Sequence, residues 1–149
     1  MQDPGVAKGA KARNTQWAAQ FLVASELVRN GYVVSFTMGN NTPIADLMVG
    51  KPDGTSLFWV DVKGLASKNY FLVKKNTTHE SLFYVLVRVG KKRGDDDFFV
   101  LSQQQVNELI EKQREKDEEK GKVPLSGFGW AACMPFEDRW SVLPGWPPS

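Results

Sequence analysis

Histidine and cysteine are almost missing from this chain: His79 and Cys133 are the sole residues of each kind in 149. A single cysteine cannot close an internal disulfide, and one histidine beside one cysteine cannot supply the ligand set of a structural zinc site. A reducing, cytoplasmic setting is therefore expected. Long apolar runs are missing too. No stretch approaches the roughly 18 apolar residues of a membrane-spanning helix, and the first residues lack the apolar core of a signal peptide. Neither export nor membrane insertion is expected. Nor is there an excess of one charge: 19 Lys and Arg face 17 Asp and Glu, a net charge of +2. Such a balance does not select a nucleic-acid partner and leaves room for a local basic groove. What remains, 42% hydrophobic and 24% charged residues at a length suited to one domain, fits a globular protein.

The most informative stretch is Thr42 to Gly64, TPIADLMVGKPDGTSLFWVDVKG. Ile44 to Val49 and Leu57 to Lys63 are rich in β-branched and aromatic residues, which predicts two strands. Lys51-Pro52-Asp53-Gly54 between them is a turn, so the strands form an antiparallel hairpin. Alternation puts Leu57, Trp59, Asp61 and Lys63 on one face and Phe58, Val60 and Val62 on the other. Charged groups in an apolar strand cost desolvation energy, which calls for a partner or a function. Asp46 is a second acid in a similarly apolar strand. Converging carboxylates hold a hard cation through oxygen, and a neighbouring lysine can meet a phosphate or a water there.

Pro43-x-x-Asp46 followed by Asp61-Val62-Lys63 resembles the PD-(D/E)XK nuclease superfamily, the restriction-endonuclease-like and Holliday-junction-resolvase-like fold. The order around the motif carries the resemblance over about the first hundred residues: a helix ending in Leu27-Val28-Arg29-Asn30-Gly31-Tyr32, a strand, then the hairpin. The resemblance implies an α/β fold with a restriction-endonuclease-like core: a helix, a three-stranded meander, and further strands completing a mixed central sheet flanked by helices. It also implies a Mg-dependent (or Mn-dependent) endonuclease acting on DNA, with RNA the second choice, and members of this fold often work as homodimers. Asp46, Asp61 and the Val62 carbonyl would hold the metal, and Lys63 would assist the water or the phosphate. Many members add a glutamate from the first helix; the matching position here, seven before Leu27, is Gln20, a departure that weakens metal affinity. Glu26 is the other candidate on that helix, and its face points to solvent with Arg29 as partner.

Along the rest of the chain, Met1 to Arg13 reads as a flexible basic arm whose Lys8, Lys11 and Arg13 can meet phosphates, or as a terminus without a role. The remaining residues, 14–149, form one domain. Asn14 is the expected cap of a helix closed by Gly31, with Trp17, Phe21, Ala24, Leu27 and Val28 as its core stripe and Gln20 inside it. Tyr32 to Met38 is a strand, and Asn40 and Asn41 lie on a turn that can position phosphates or simply connect. Lys68, Lys74 and Lys75, interleaved with Tyr70 and Phe71, suit nucleic-acid contact or an edge strand guarded against aggregation. Tyr70 to Val73 reads as a short strand where the resemblance implies a crossover helix. Leu82 to Val89 is apolar on both faces and belongs inside the sheet, and Phe98 to Leu101 is the next strand. Asp95-Asp96-Asp97 reads as a solvated turn. Ser102-x-x-Gln105 opens a helix, and residues 103–122 form a charged helix or linker. The Trp- and Pro-rich end, with Trp130, Trp140 and Trp146, packs back on the sheet.

Two rivals to the nuclease stand beside it, the first favoured by the missing helix glutamate and the weak basic surface. One is a degenerate module of the same fold that binds nucleic acid or protein without cutting. The other is an interaction or immunity-type module using the C-terminal tryptophans, with Asp46, Asp61 and Lys63 merely structural.

Overall fold

The computed structural model describes residues 4–37, 45–75 and 79–148, with side chains from residue 9 onward. Its centre is a five-stranded mixed sheet in the order β1-β2-β3-β5-β6, built from β1 (Val33–Phe36), β2 (Leu47–Gly50), β3 (Phe58–Leu65), β5 (Leu82–Arg88) and β6 (Asp97–Ser102). β1, β2 and β3 form an antiparallel meander, β5 joins β3 in parallel, and β6 returns antiparallel to β5. The hairpin between β2 and β3 is as expected. Gly54 takes φ +83°, open to glycine, and its amide donates to Lys51 O at 2.9 Å. β5 lies between β3 and β6 with Leu82 to Val87 all buried, as its two-sided apolar pattern requires.

α1 (Pro4–Arg29) crosses one face of the sheet. It starts at Pro4 and not at Asn14, so residues 4–13 are helical turns rather than a loose arm. The lack of apolar periodicity there reflects a helix exposed at residues 11–14, while Ala, Lys and Arg favour helix and proline suits the first helical position. Its end is a Schellman cap: Gly31 sits at φ +91°, Gly31 N donates to Val28 O at 3.1 Å and Tyr32 N to Leu27 O at 3.1 Å. The buried stripe is Ala19, Val23 and Leu27 with Ala24, whereas Trp17, Phe21 and Val28 are exposed. Two stripes of helical period coexist on α1. The helix lies so close to β3 that Gly64 faces Ala19, and this spacing excludes the bulkier stripe.

The C-terminal segment packs back on the same face, as expected. Trp140 and Leu143 are buried there, and Trp146 stacks on Trp140 (5.4 Å) and on Tyr32 (6.0 Å). On the opposite face, α2 (Gln103–Glu119) inserts Val106 and Ile110 beside a two-stranded ribbon of β4 (Phe71–Leu72) and β7 (Gly127–Phe128) and the short α3 (Trp130–Cys133). Ser102 and Gln105 form the expected capping box. The charged residues continue α2 as a helix to Glu119, with Arg114 paired to Glu118 at 2.9 Å. Between β3 and β5 the described residues contain β4 and no helix. None of the helices among the described residues is long and apolar enough to cross a membrane.

Candidate functional site

The site forms where β2 runs out alongside β3. Ladder pairing of the two strands ends at Leu47 opposite Val60, so the backbone of β3 from Val62 onward has no strand beside it on that edge. Side chains take the place of the missing strand. Asp46 Oδ2 accepts from Val62 N at 2.8 Å, and Asp46 N donates to Val60 O at 3.0 Å. Gln16 on α1 completes the edge: its Nε2 donates to Val62 O at 2.7 Å, and its Oε1 accepts from Gly64 N at 2.9 Å. The glutamine amide thus supplies one donor and one acceptor, the pair a neighbouring peptide would offer.

Asp61 stands on the other face of β3, as alternation predicts, with its side chain 17% exposed and Lys63 Nζ 3.1 Å from Oδ2. Burial raises its carboxyl from 3.8 to about 7; Lys63 pulls it down, and the Asp46 carboxylate pushes it up by hydrogen bond and by charge. The Asp46 carboxylate is therefore near enough to Asp61 to act on its charge. The Tyr84 side chain, on the β5 residue paired with Asp61, closes the wall behind; its hydroxyl is pushed up to about 12, first by burial and then by Asp61. Gln20 reaches the same place, its Nε2 3.4 Å from Asp46 Oδ1. Gln20 on α1, Asp46 just before β2, and Asp61 and Lys63 on β3 are thus brought together. Glu26 points elsewhere, 4.0 Å from Arg29.

The other expected residues gather less closely. The Val62 carbonyl, expected as a metal ligand, is engaged by Gln16 because its strand edge turns towards α1. Lys75 is neutralised by Glu111 at 3.3 Å, Lys68 lies 5.6 Å over the Trp130 ring, and Lys74 is exposed. Asn40, Asn41 and Pro43 lie outside the described residues. Asp95, Asp96 and Asp97 make a tied turn: Arg88 pairs with Asp97 and with Asp95, and Asp96 Oδ1 accepts from Gly90 N at 2.8 Å. Among the described residues, no group of three or more His, Cys, Asp or Glu is placed to hold a metal.

Sequence reading missed Gln16. The available signal was its position one helical turn before Gln20, both of them long polar side chains bordering the Ala19-Val23-Leu27 face. Gln16→Ala is expected to lower stability by about 2 kcal/mol, because Val62 O and Gly64 N both lose a partly buried partner. Gln16→Glu, which retains an acceptor for Gly64 but no donor for Val62, should fall between. Urea midpoints read this directly, and an unchanged midpoint in Gln16→Ala would mean that water replaces the amide at no cost.

No protein-family model matches the chain, and neither a curated protein nor a solved structure does.

Proposed function

We propose that the protein is a magnesium-dependent nuclease that hydrolyses phosphodiester bonds of DNA on a restriction-endonuclease-like core. One observation carries the reading: two carboxylates, Asp46 just before β2 and Asp61 on β3, lie close enough for Asp46 to raise the Asp61 carboxyl, with Lys63 on Asp61 and the α1 glutamine Gln20 on Asp46. The order of elements supports it, since a helix, an antiparallel three-stranded meander and a fourth strand parallel to the third run in the sequence that the superfamily core uses.

The donor set fits a hard dication, because a cation there would offset the burial and the neighbouring Asp46 charge that raise the Asp61 carboxyl. When bound, magnesium polarises the scissile phosphate and lowers the pKa of water. Asp46 and Asp61 would hold it. Lys63, 38% exposed at its side chain, would steady the phosphate oxyanion or orient the attacking water. Gln20 would position that water through its amide, adding no charge.

Isothermal titration of magnesium and manganese, followed by plasmid nicking, tests the reading. Wild type should bind saturably and nick; Asp61→Ala should lose both. Lys63→Met should keep metal binding and lose nicking by about a hundredfold. Undiminished nicking in Asp61→Ala would overturn the assignment.

The engagement of Asp46 and Gln16 in completing the β3 edge favours a second reading. In that reading the acid is there for the backbone, and the protein is a non-cutting module that binds nucleic acid or protein. Wild type would then show neither metal binding nor nicking, and a salt-dependent affinity for DNA would separate nucleic-acid binding from protein binding.

A further inference from the structure

The exposed aromatic stripe of α1 has no role in the core. Trp17 is 49% and Phe21 57% exposed, and their rings stack at 5.8 Å with 26° between planes. Phe21 in turn meets Phe36 at 5.5 Å. Phe36 ends β1 one residue before Thr37, whose amide donates to Asp46 O at 3.0 Å. The stack therefore begins beside the candidate site. Rings of this size left in water forfeit a large burial gain, so their exposure side by side marks a contact surface.

The charges around the stripe indicate what it contacts. Phe21, Ala18 and Leu22 line a shallow groove of about 450 Å³ with Lys91, Lys92 and Arg93 from the loop after β5. These cations are exposed, and none makes an ion pair among the described residues. Asp96 also reaches the groove, with Oδ1 held by the Gly90 amide. Arg13, exposed one turn before Trp17, extends the positive charge along the helix. Flat rings that stack on one helix, beside a loop whose three cations make no ion pair among the described residues, match one chemistry: unpaired bases on a phosphodiester backbone. A duplex keeps its bases stacked on one another and offers no face to Trp17.

We propose that Trp17 and Phe21 form a stacking platform for single-stranded nucleic acid whose phosphates are held by Lys91, Lys92 and Arg93. The binding does not depend on the metal chemistry. Its meaning, that the unpaired strand of a substrate is led towards Asp46 and Asp61, rests on the nuclease reading above.

Anisotropy of a labelled oligothymidylate of roughly 15 nucleotides, about the span of a small single-strand site, tests this in EDTA, where no cleavage occurs. Wild type should bind it at least about tenfold more tightly than a duplex of equal length, and Trp17→Ala with Phe21→Ala should weaken binding by about tenfold or more. Replacing Lys91, Lys92 and Arg93 by glutamine should lower the slope of log affinity against log salt by roughly two. Both variants change exposed positions, and unchanged thermal melting would show that they fold. Because the assay runs in EDTA, a dead metal site leaves this result intact. An oligouridylate arm tells DNA from RNA, either of which supports the platform. Equal or tighter binding of duplex overturns it, as does self-association that Trp17→Ala dissolves without any oligonucleotide binding, since the stripe would then belong to a second copy.

Discussion

Asp61→Asn is expected to stabilise the protein by about 2 to 4 kcal/mol near pH 8 and to leave it almost unchanged near pH 4, at each about 1.4 kcal/mol per unit of displaced pKa. Burial and the neighbouring Asp46 carboxylate raise the Asp61 carboxyl from 3.8 to about 7, against the pull of Lys63. The unfolded chain releases this proton near its ordinary value, whereas the folded chain keeps it until about 7. Between those limits the native state binds more protons, so stability falls as pH rises through the window, and the full cost stands above it. Asparagine keeps the shape, cannot ionise, and can donate to Asp46 as the protonated acid does. The pH dependence of wild-type stability should therefore flatten in the variant. Magnesium should restore wild-type stability near pH 8 and leave Asp61→Asn unmoved, since ligand binding stabilises only the state that binds. Urea midpoints at both pH values, with and without magnesium, measure all of this. A variant less stable than wild type near pH 8 would mean that Asp61 is ionised and held favourably by Lys63, as an ordinary strand ion pair.

What the sequence disclosed and what it hid divide along physical lines. The hairpin, β5 and α2 were legible because each is specified locally: turn residues at 51–54, apolar residues on both faces at 82–87, a capping box at Ser102 and Gln105. Asp46, Asp61 and Lys63 were legible for a related reason, since charge on an apolar strand stands out in one dimension. The face of α1 was not. Its aromatic stripe and its small-residue stripe share one period, and only the approach of β3 at Gly64, far away in sequence, decides which is buried. Gln16 was hidden for the same reason: a side chain standing in for a strand is recognisable only once that strand is known to stop. The lysines at 68, 74 and 75 stood out by charge, yet charge alone could not disclose that Glu111 would neutralise Lys75.

That distant approach makes Gly64 the position from which the whole arrangement can be disturbed by a single methyl group. A Cβ built there would stand 2.7 Å from the Ala19 Cβ, 3.1 Å from Thr15 O and 3.4 Å from Gln16 Oε1. The two nearest, the Ala19 Cβ and the Thr15 carbonyl, are fixed to the helix backbone, so α1 itself has to move. Gly64→Ala should cost about 2 kcal/mol as overpacking. Because α1 carries Gln16 and Gln20, the shift should also loosen the clamp on Val62 and the contact with Asp46, and on the proposed nuclease reading it should lower nicking more than the stability loss explains. Ala19→Gly removes the methyl group that Gly64→Ala would meet, at a helix-propensity cost of about 1 kcal/mol. The double variant should recover at least about 1 kcal/mol relative to the sum of the two single changes, with nicking partly restored. Strict additivity in urea midpoints would show that Gly64 answers to its own backbone and not to the helix, and the placement of Gln20 against Asp46 would then need another source.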